Sequence, residues 1–169
     1  MAAKSYIANT AGRLTRTPAI VTSTGAANDG DLVALDAAGK LDASVFPAGV
    51  GQNNTSAVAS EALAAGDIVN LWDNAGTASV RKADGTAVGK EAHGFVKANF
   101  ASSASATVYL AGNTLTTTGL TTGARYYLST TPGTASATPL TTAGNVSQLV
   151  GIAANATTLL FDPEEAITM

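Results

Sequence analysis

At 169 residues the chain is long enough for one ordinary domain, or for a compact domain carrying an extended arm. A net charge of -3 and a pI near 4.9 argue against the basic face of a nucleic-acid binder. The absence of cysteine excludes disulfides, thiolate metal sites and cysteine nucleophiles.

The composition is 46% hydrophobic but only 5% aromatic, because Ala and Thr carry much of it. Small side chains each bury little surface, at roughly 25 cal/mol per Å² of apolar area, so a monomer is expected to have a thin core. This points to oligomerisation or to lying on another protein's surface. Charged residues make up 12%, about half the usual share of roughly 25%. The start Met-Ala-Ala-Lys-Ser-Tyr-Ile lacks the apolar core of a signal peptide, and no run approaches the ~18 apolar residues of a membrane span. The chain is expected to be soluble and made in the cytosol, with neither nucleic acid nor membrane as a partner.

In chain order, residues 1 to about 22 space Tyr6, Ile7, Leu14, Ile20 and Val21 irregularly, and Pro18 with its neighbouring threonines disfavours a helix. The segment reads as an extended arm, docking on a neighbouring subunit or supplying a first strand to the chain's own sheet. Its cations Lys4, Arg13 and Arg16, with no acid before Asp29, suit an acidic partner surface. A Gly/Ala/Asn/Asp linker follows over 23–30. Residues 31–42 then read as a small hairpin with Val33 and Leu35 on one face and a turn at 36–39. Asp29, Asp31, Asp36 and Asp42 lack the dense spacing and closing Glu of a calcium loop, so they read as solvated turn residues. Pro47 and the glycines of 48–51 break the pattern.

A strand over 52–59 is expected to lead through Ser60 to the helix formers of 61–65, which suffice for no more than one turn. Residues 67–72 and 77–83 form the clearest hairpin, around Asp73-Asn-Ala-Gly76. Strands over 92–98 and 106–111 flank a Ser/Ala tract. In the last third, 125–128, 146–152 and 157–161 are short strands between strong turn signals. Alternation puts Tyr126 and Leu128 on one face and Arg125 and Tyr127 on the other. Thr131-Pro-Gly133 has Pro and Gly placed for a type II turn, and Pro163 stops the last strand. Between residues 101 and 160 the only charged side chain is Arg125. The fold class expected is all-β: a small β-barrel or sandwich of short antiparallel strands with an extended N-terminal arm. Residues 1–50 would hold the arm and small hairpin, and 51–169 the barrel or sandwich.

Chemistry finds few parts. His93 is the single histidine, with no second His or Cys to share a metal. No Gly-x-Ser-x-Gly elbow and no phosphate-loop pattern occur, and Glu164-Glu165 read as a solvated tail. Trp72, Tyr126 and Tyr127 could stack on a sugar, though packing is the plainer role for them. The expectation is a non-enzyme without catalytic residues, cofactor or metal. Its partner-binding candidates are Lys4, Tyr6, Arg13, Arg16 and Arg125.

Three stretches carry a resemblance. Residues 31–42, Asp-Leu-Val-Ala-Leu-Asp-Ala-Ala-Gly-Lys-Leu-Asp, followed by Pro47, resemble a segment of tailed-bacteriophage virion proteins. Residues 63–72, Leu-Ala-Ala-Gly-Asp-Ile-Val-Asn-Leu-Trp, with Ala-His-Gly-Phe-Val at 92–96, are similar to the barrel segment of phage capsid decoration, or cement, proteins. Residues 119–163 resemble a module shared among phage decoration, baseplate and tail-fibre proteins. The resemblance implies a structural β protein, usually a homotrimer, on the outer surface of the virion capsid. It would bind the major capsid protein and copies of itself, stabilising the assembled head. A tail, baseplate or head-fibre component and a carbohydrate-binding module are the alternatives.

Overall fold

The computed structural model describes residues 5–46 and 53–169, so Lys4 and the 47–51 break lie outside the described residues. The chain divides into two compact units, 1–51 and 52–169.

In the first unit the arm doubles back on itself. Strands β1 (Ser5–Thr10) and β2 (Arg13–Pro18) pair antiparallel from Ser5↔Pro18 to Thr10↔Arg13. The two residues between them, Ala11 and Gly12, have φ of 52° and 82°. Two successive positive φ values mark the tight turn whose twist matches a hairpin. The hairpin expected over 31–42 forms only its turn: Asp36 Oδ1 accepts from the N–H groups of Ala38 and Lys40, at 2.8 Å each. Val33 instead bridges Ile20 in parallel, and Ala34, not Val33 or Leu35, turns inward. The carboxylates of this region serve their own turns, Asp31 accepting from Asn28 and Asp42 from the Ser44 N–H.

The second unit holds a closed barrel and a sheet packed on it. The barrel strands are β3 (Asn54–Ala59), β4 (Ile68–Asn74), β5 (Thr77–Lys82), β6 (Gly94–Phe95) and β7 (Ser105–Tyr109), in the order β3-β5-β4-β6-β7. Hairpin β4–β5 runs two residues further than expected, to Asn74↔Thr77, around Ala75 and Gly76 at φ 51° and 85°. Closure departs from the antiparallel expectation: β3 and β5 join in parallel through two rungs, Val58↔Ser79 and Ala59↔Val80. The 61–65 segment does not turn helically. Leu63 bridges Phe100 and is buried in the barrel, which extended backbone allows and a helical turn would not. The interior is filled by Ala57, Ala59, Ala106, Val69, Val80, Val96 and Val108 with Leu63. A five-stranded barrel has room for little more, so the small-residue composition is a fit to this lumen.

The sheet runs β10 (Ala135–Ser136), β9 (Arg125–Leu128), β12 (Leu149–Asn155), β13 (Thr158–Phe161) and β8 (Asn113–Thr116), all antiparallel. Its inward residues Leu115, Tyr126, Leu128, Val150, Leu159 and Phe161 pack against Ile68, Ala83, Ala92 and Phe95 of the barrel side. Phe95 meets Phe161 edge-on at 5.2 Å and stacks on Tyr109 at 5.7 Å. Tyr126 and Leu128 point in and Arg125 out, as alternation predicts. The run expected over 146–152 is two strands. Val146–Ser147 (β11) pairs with Ile167–Thr168 (β14), and the chain passes Gln148 before β12 begins. All described strands are β with two single 3-10 turns, Ala26–Asn28 and Ala43–Val45.

Candidate interaction site

The hairpin register sorts the arm's candidates onto two faces. Cross-strand partners share a face, so Ile7, Arg16, Asn9 and Leu14 lie on one, and Tyr6, Thr17, Ala8, Thr15 and Arg13 on the other. Arg16 is tied down by its Nε, which donates to Ser5 Oγ at 2.7 Å. Beside it Ile7 and Leu14 are 65% and 79% exposed. Tyr6 is half-buried on the opposite face, and Arg13 is exposed next to the turn. Arg16 is thus separated from Tyr6 and Arg13, and Arg125 lies in the second unit on β9. The sequence signal for the hairpin was Ala11-Gly12 between two six-residue β-rich runs.

The first unit buries almost nothing of its own. Among its described residues the one buried hydrophobic side chain is Ala34, whereas Leu32, Leu35, Leu41 and Phe46 are exposed along with Ile7 and Leu14. A two-stranded ribbon without a packed face is marginal in water.

The barrel exterior explains the residues that invited chemistry. Asn70, 1% exposed, donates from Nδ2 to Glu91 O at 2.8 Å and accepts Arg81 Nε at 3.0 Å. Arg81 also donates to Gly89 O at 2.6 Å and lies 4.5 Å over the Trp72 ring. His93 Nδ1 accepts the Leu71 N–H at 3.1 Å, which leaves the ring proton on Nε2. These contacts fasten the 84–93 loop to the barrel. One face of Trp72 is therefore occupied by a guanidinium, Tyr126 is buried in the other core and Tyr127 lies on the far side of β9. The three aromatics form no common sugar platform. Tyr126 Oη instead accepts the Thr121 N–H at 2.9 Å.

Below the two parallel rungs, β3 and β5 diverge around a groove of about 550 Å³ lined by Thr55, Ser56, Trp72, Asp73, Ala78 and Ser79. Trp72 and Ser79 face each other in the ladder, and Trp72 Nε1 and Ser79 Oγ are buried without a hydrogen-bond partner among the described residues.

The loop leaving β5 is held by Asp84. Its carboxylate accepts from the Thr86 N–H at 3.0 Å, from the Thr86 hydroxyl, and from Lys90 Nζ at 3.0 Å. Burial alone would raise its pKa, but the Thr86 hydroxyl, the Lys90 ammonium and the Thr86 N–H together hold it below the ordinary aspartate value. Among the described residues no cluster of three or more His, Asp or Glu could hold a metal.

No family model, curated protein or solved structure matches the chain.

Proposed function

We propose that the chain is a virion structural protein of a tailed bacteriophage, a capsid decoration protein on the outer surface of the head. It would be made in the host cytoplasm and bind the major capsid protein and copies of itself. The observation that carries the reading is the contrast between the two units. The second is self-sufficient, with two packed cores and few charges. The first holds a two-stranded ribbon whose Ile7 and Leu14 are exposed, and among its described residues the one buried hydrophobic side chain is Ala34. Such a ribbon is stabilised when another surface covers it. Arg16, on the same face as Ile7 and Leu14, favours an acidic surface, and the resemblance of residues 63–72 and 92–96 to decoration proteins supplies the kind of surface.

Function here is adhesion rather than chemistry. A protein that binds only the assembled lattice stabilises that state by mass action, because its binding free energy must be given up before the shell opens. The polar threonine- and alanine-rich exterior suits close packing between neighbours with little charge to desolvate. Heads carrying and lacking the protein, heated while a dye reports released DNA, test the proposal. Release at lower temperature from the bare heads is expected, and identical release curves would sink the idea.

A further inference from the structure

A cavity of about 550 Å³ opens between the entry to β4, the end of β8 and strands β9 and β10. Its size falls within the roughly 300–1,000 Å³ of clefts that hold small molecules. Asp67 forms part of the wall. Its Oδ2 accepts the Ala64 N–H at 2.8 Å and pairs with Lys82 Nζ at 3.1 Å, while Oδ1 has no hydrogen-bond partner among the described residues. Gly133 leaves room for that oxygen, since a Cβ there would sit 2.8 Å from Oδ1. A second wall residue, Tyr126, is 6% exposed. Its hydroxyl accepts the Thr121 N–H, and the phenolic proton has no acceptor among the described residues. Thr116, Thr117 and Thr118 also line the cavity, and their hydroxyls make no hydrogen bond among the described residues. Leu120 and Ala135, half-buried against the core, add an apolar wall.

We propose that this cavity binds a neutral sugar. The charge of Asp67 is already answered by Lys82, and no other charged side chain lines the cavity. A phosphate, carboxylate or ammonium would therefore bring in a charge that nothing there balances. The ligand must instead donate to Asp67 Oδ1 and accept from the Tyr126 hydroxyl. An amide does so from two opposed atoms, whereas each hydroxyl of a sugar does both, matching the hydroxyls of three successive threonines. Leu120 and Ala135 then cover the C–H side of a pyranose ring, as apolar walls do in small-ligand clefts. Tyr126 acts here through its hydroxyl while its ring packs in the core, so the site needs no aromatic stacking. The inference adds a binding activity and does not depend on attachment to a head.

The test is titration of the isotope-labelled full chain, followed by its amide resonances. The probes are the methyl glycosides of glucose, galactose, mannose and N-acetylglucosamine and a linear trisaccharide of each, with inorganic phosphate and N-acetylalanine amide as controls. At least one sugar should shift the amides of 116–120 and 133–135 and saturate in the millimolar range, as expected of so small a ligand. Its affinity should be unchanged between about 0.05 and 0.5 M salt, because no net charge is matched. Equal binding of a glycoside and its trisaccharide would identify a free sugar or chain end as the ligand. Stronger binding of the trisaccharide would identify a polysaccharide, and both results bear the proposal out. Tyr126→Phe and the pair Thr116→Val with Thr118→Val should each weaken binding at least about tenfold. Thr116 and Thr118 are exposed, so the pair should melt like the native chain even where Tyr126→Phe does not. The proposal is overturned if no sugar shifts these amides by about 50 mM, if a control shifts them as strongly, or if the threonine pair binds like the native chain. No heads are present, so failure here leaves the decoration reading untouched.

Discussion

The side chain of Gln148 completes a strand rung for Ala92: its Oε1 accepts the Ala92 N–H at 2.7 Å and its Nε2 donates to the Ala92 carbonyl at 3.1 Å. The same Nε2 donates to Glu164 O at 3.0 Å. Gln148 is 5% exposed and Ala92 1%. One amide thus joins the barrel side, the passage from β11 to β12 and the C-terminal segment. Gln148→Leu keeps the volume and strands both Ala92 backbone groups without water. A loss of about 2–4 kcal/mol is expected, read from denaturant unfolding. A loss under ~0.5 kcal/mol would show that water replaces the amide.

Gly151 sits at φ 154°, where an added Cβ would lie 2.1 Å from the Leu160 carbonyl oxygen. That oxygen belongs to the neighbouring strand backbone and cannot swing aside. Gly151→Ala is expected to cost about 2–3 kcal/mol, and faster amide exchange should be confined first to β12 and β13. A native-like melting temperature would contradict the close approach.

Ser79 is 1% exposed and its hydroxyl has no hydrogen-bond partner among the described residues. Removing an unpaired buried hydroxyl relieves its desolvation at the expense of a small void. Ser79→Ala should therefore leave stability unchanged or raise it by up to about 1 kcal/mol. Destabilisation beyond ~1 kcal/mol would mean that the hydroxyl is bonded.

Asp84 gives the unfolding curve an acid limb. Its folded pKa lies below the ordinary value of 3.8, so the folded state favours the carboxylate. The stabilisation is complete above the ordinary value and is lost as pH falls through the folded pKa. At neutral pH, Asp84→Asn should cost about 2 kcal/mol, since hydrogen bonds to a charged group are lost. The gap between variant and native chain should narrow below about pH 4. A gap independent of pH down to 2 would assign the loss to packing instead.

Local signals in the sequence reached the strands but not their assembly. Hairpin β4–β5 and the alternation of 125–128 were legible because turn chemistry and period-two burial act over a few residues. The parallel rungs Val58↔Ser79 and Ala59↔Val80 were not, since nothing local records which distant edge closes a barrel. Residues 61–65 show tertiary burial of Leu63 overriding helix propensity. The strand over 146–152 is interrupted at Gln148 because one polar side chain has a long-range partner that no periodicity reveals. Among the partner-binding candidates, the cations were visible by composition, while their faces depended on the Ala11-Gly12 turn that sets the hairpin register.

In the proposed function the N-terminal hairpin attaches the protein to a phage head. The most direct test of that attachment is co-sedimentation of the full chain, and of the Ile7→Asp/Leu14→Asp pair, with mature heads purified without the protein. Both side chains are exposed, so the variant should melt like the native chain. Saturable binding of the native chain at many symmetric sites per head is expected, with loss of at least about 90% of it in the variant, as removal of two apolar anchors implies. Equal binding by both chains, or native chain found only with tails, would contradict the proposed attachment.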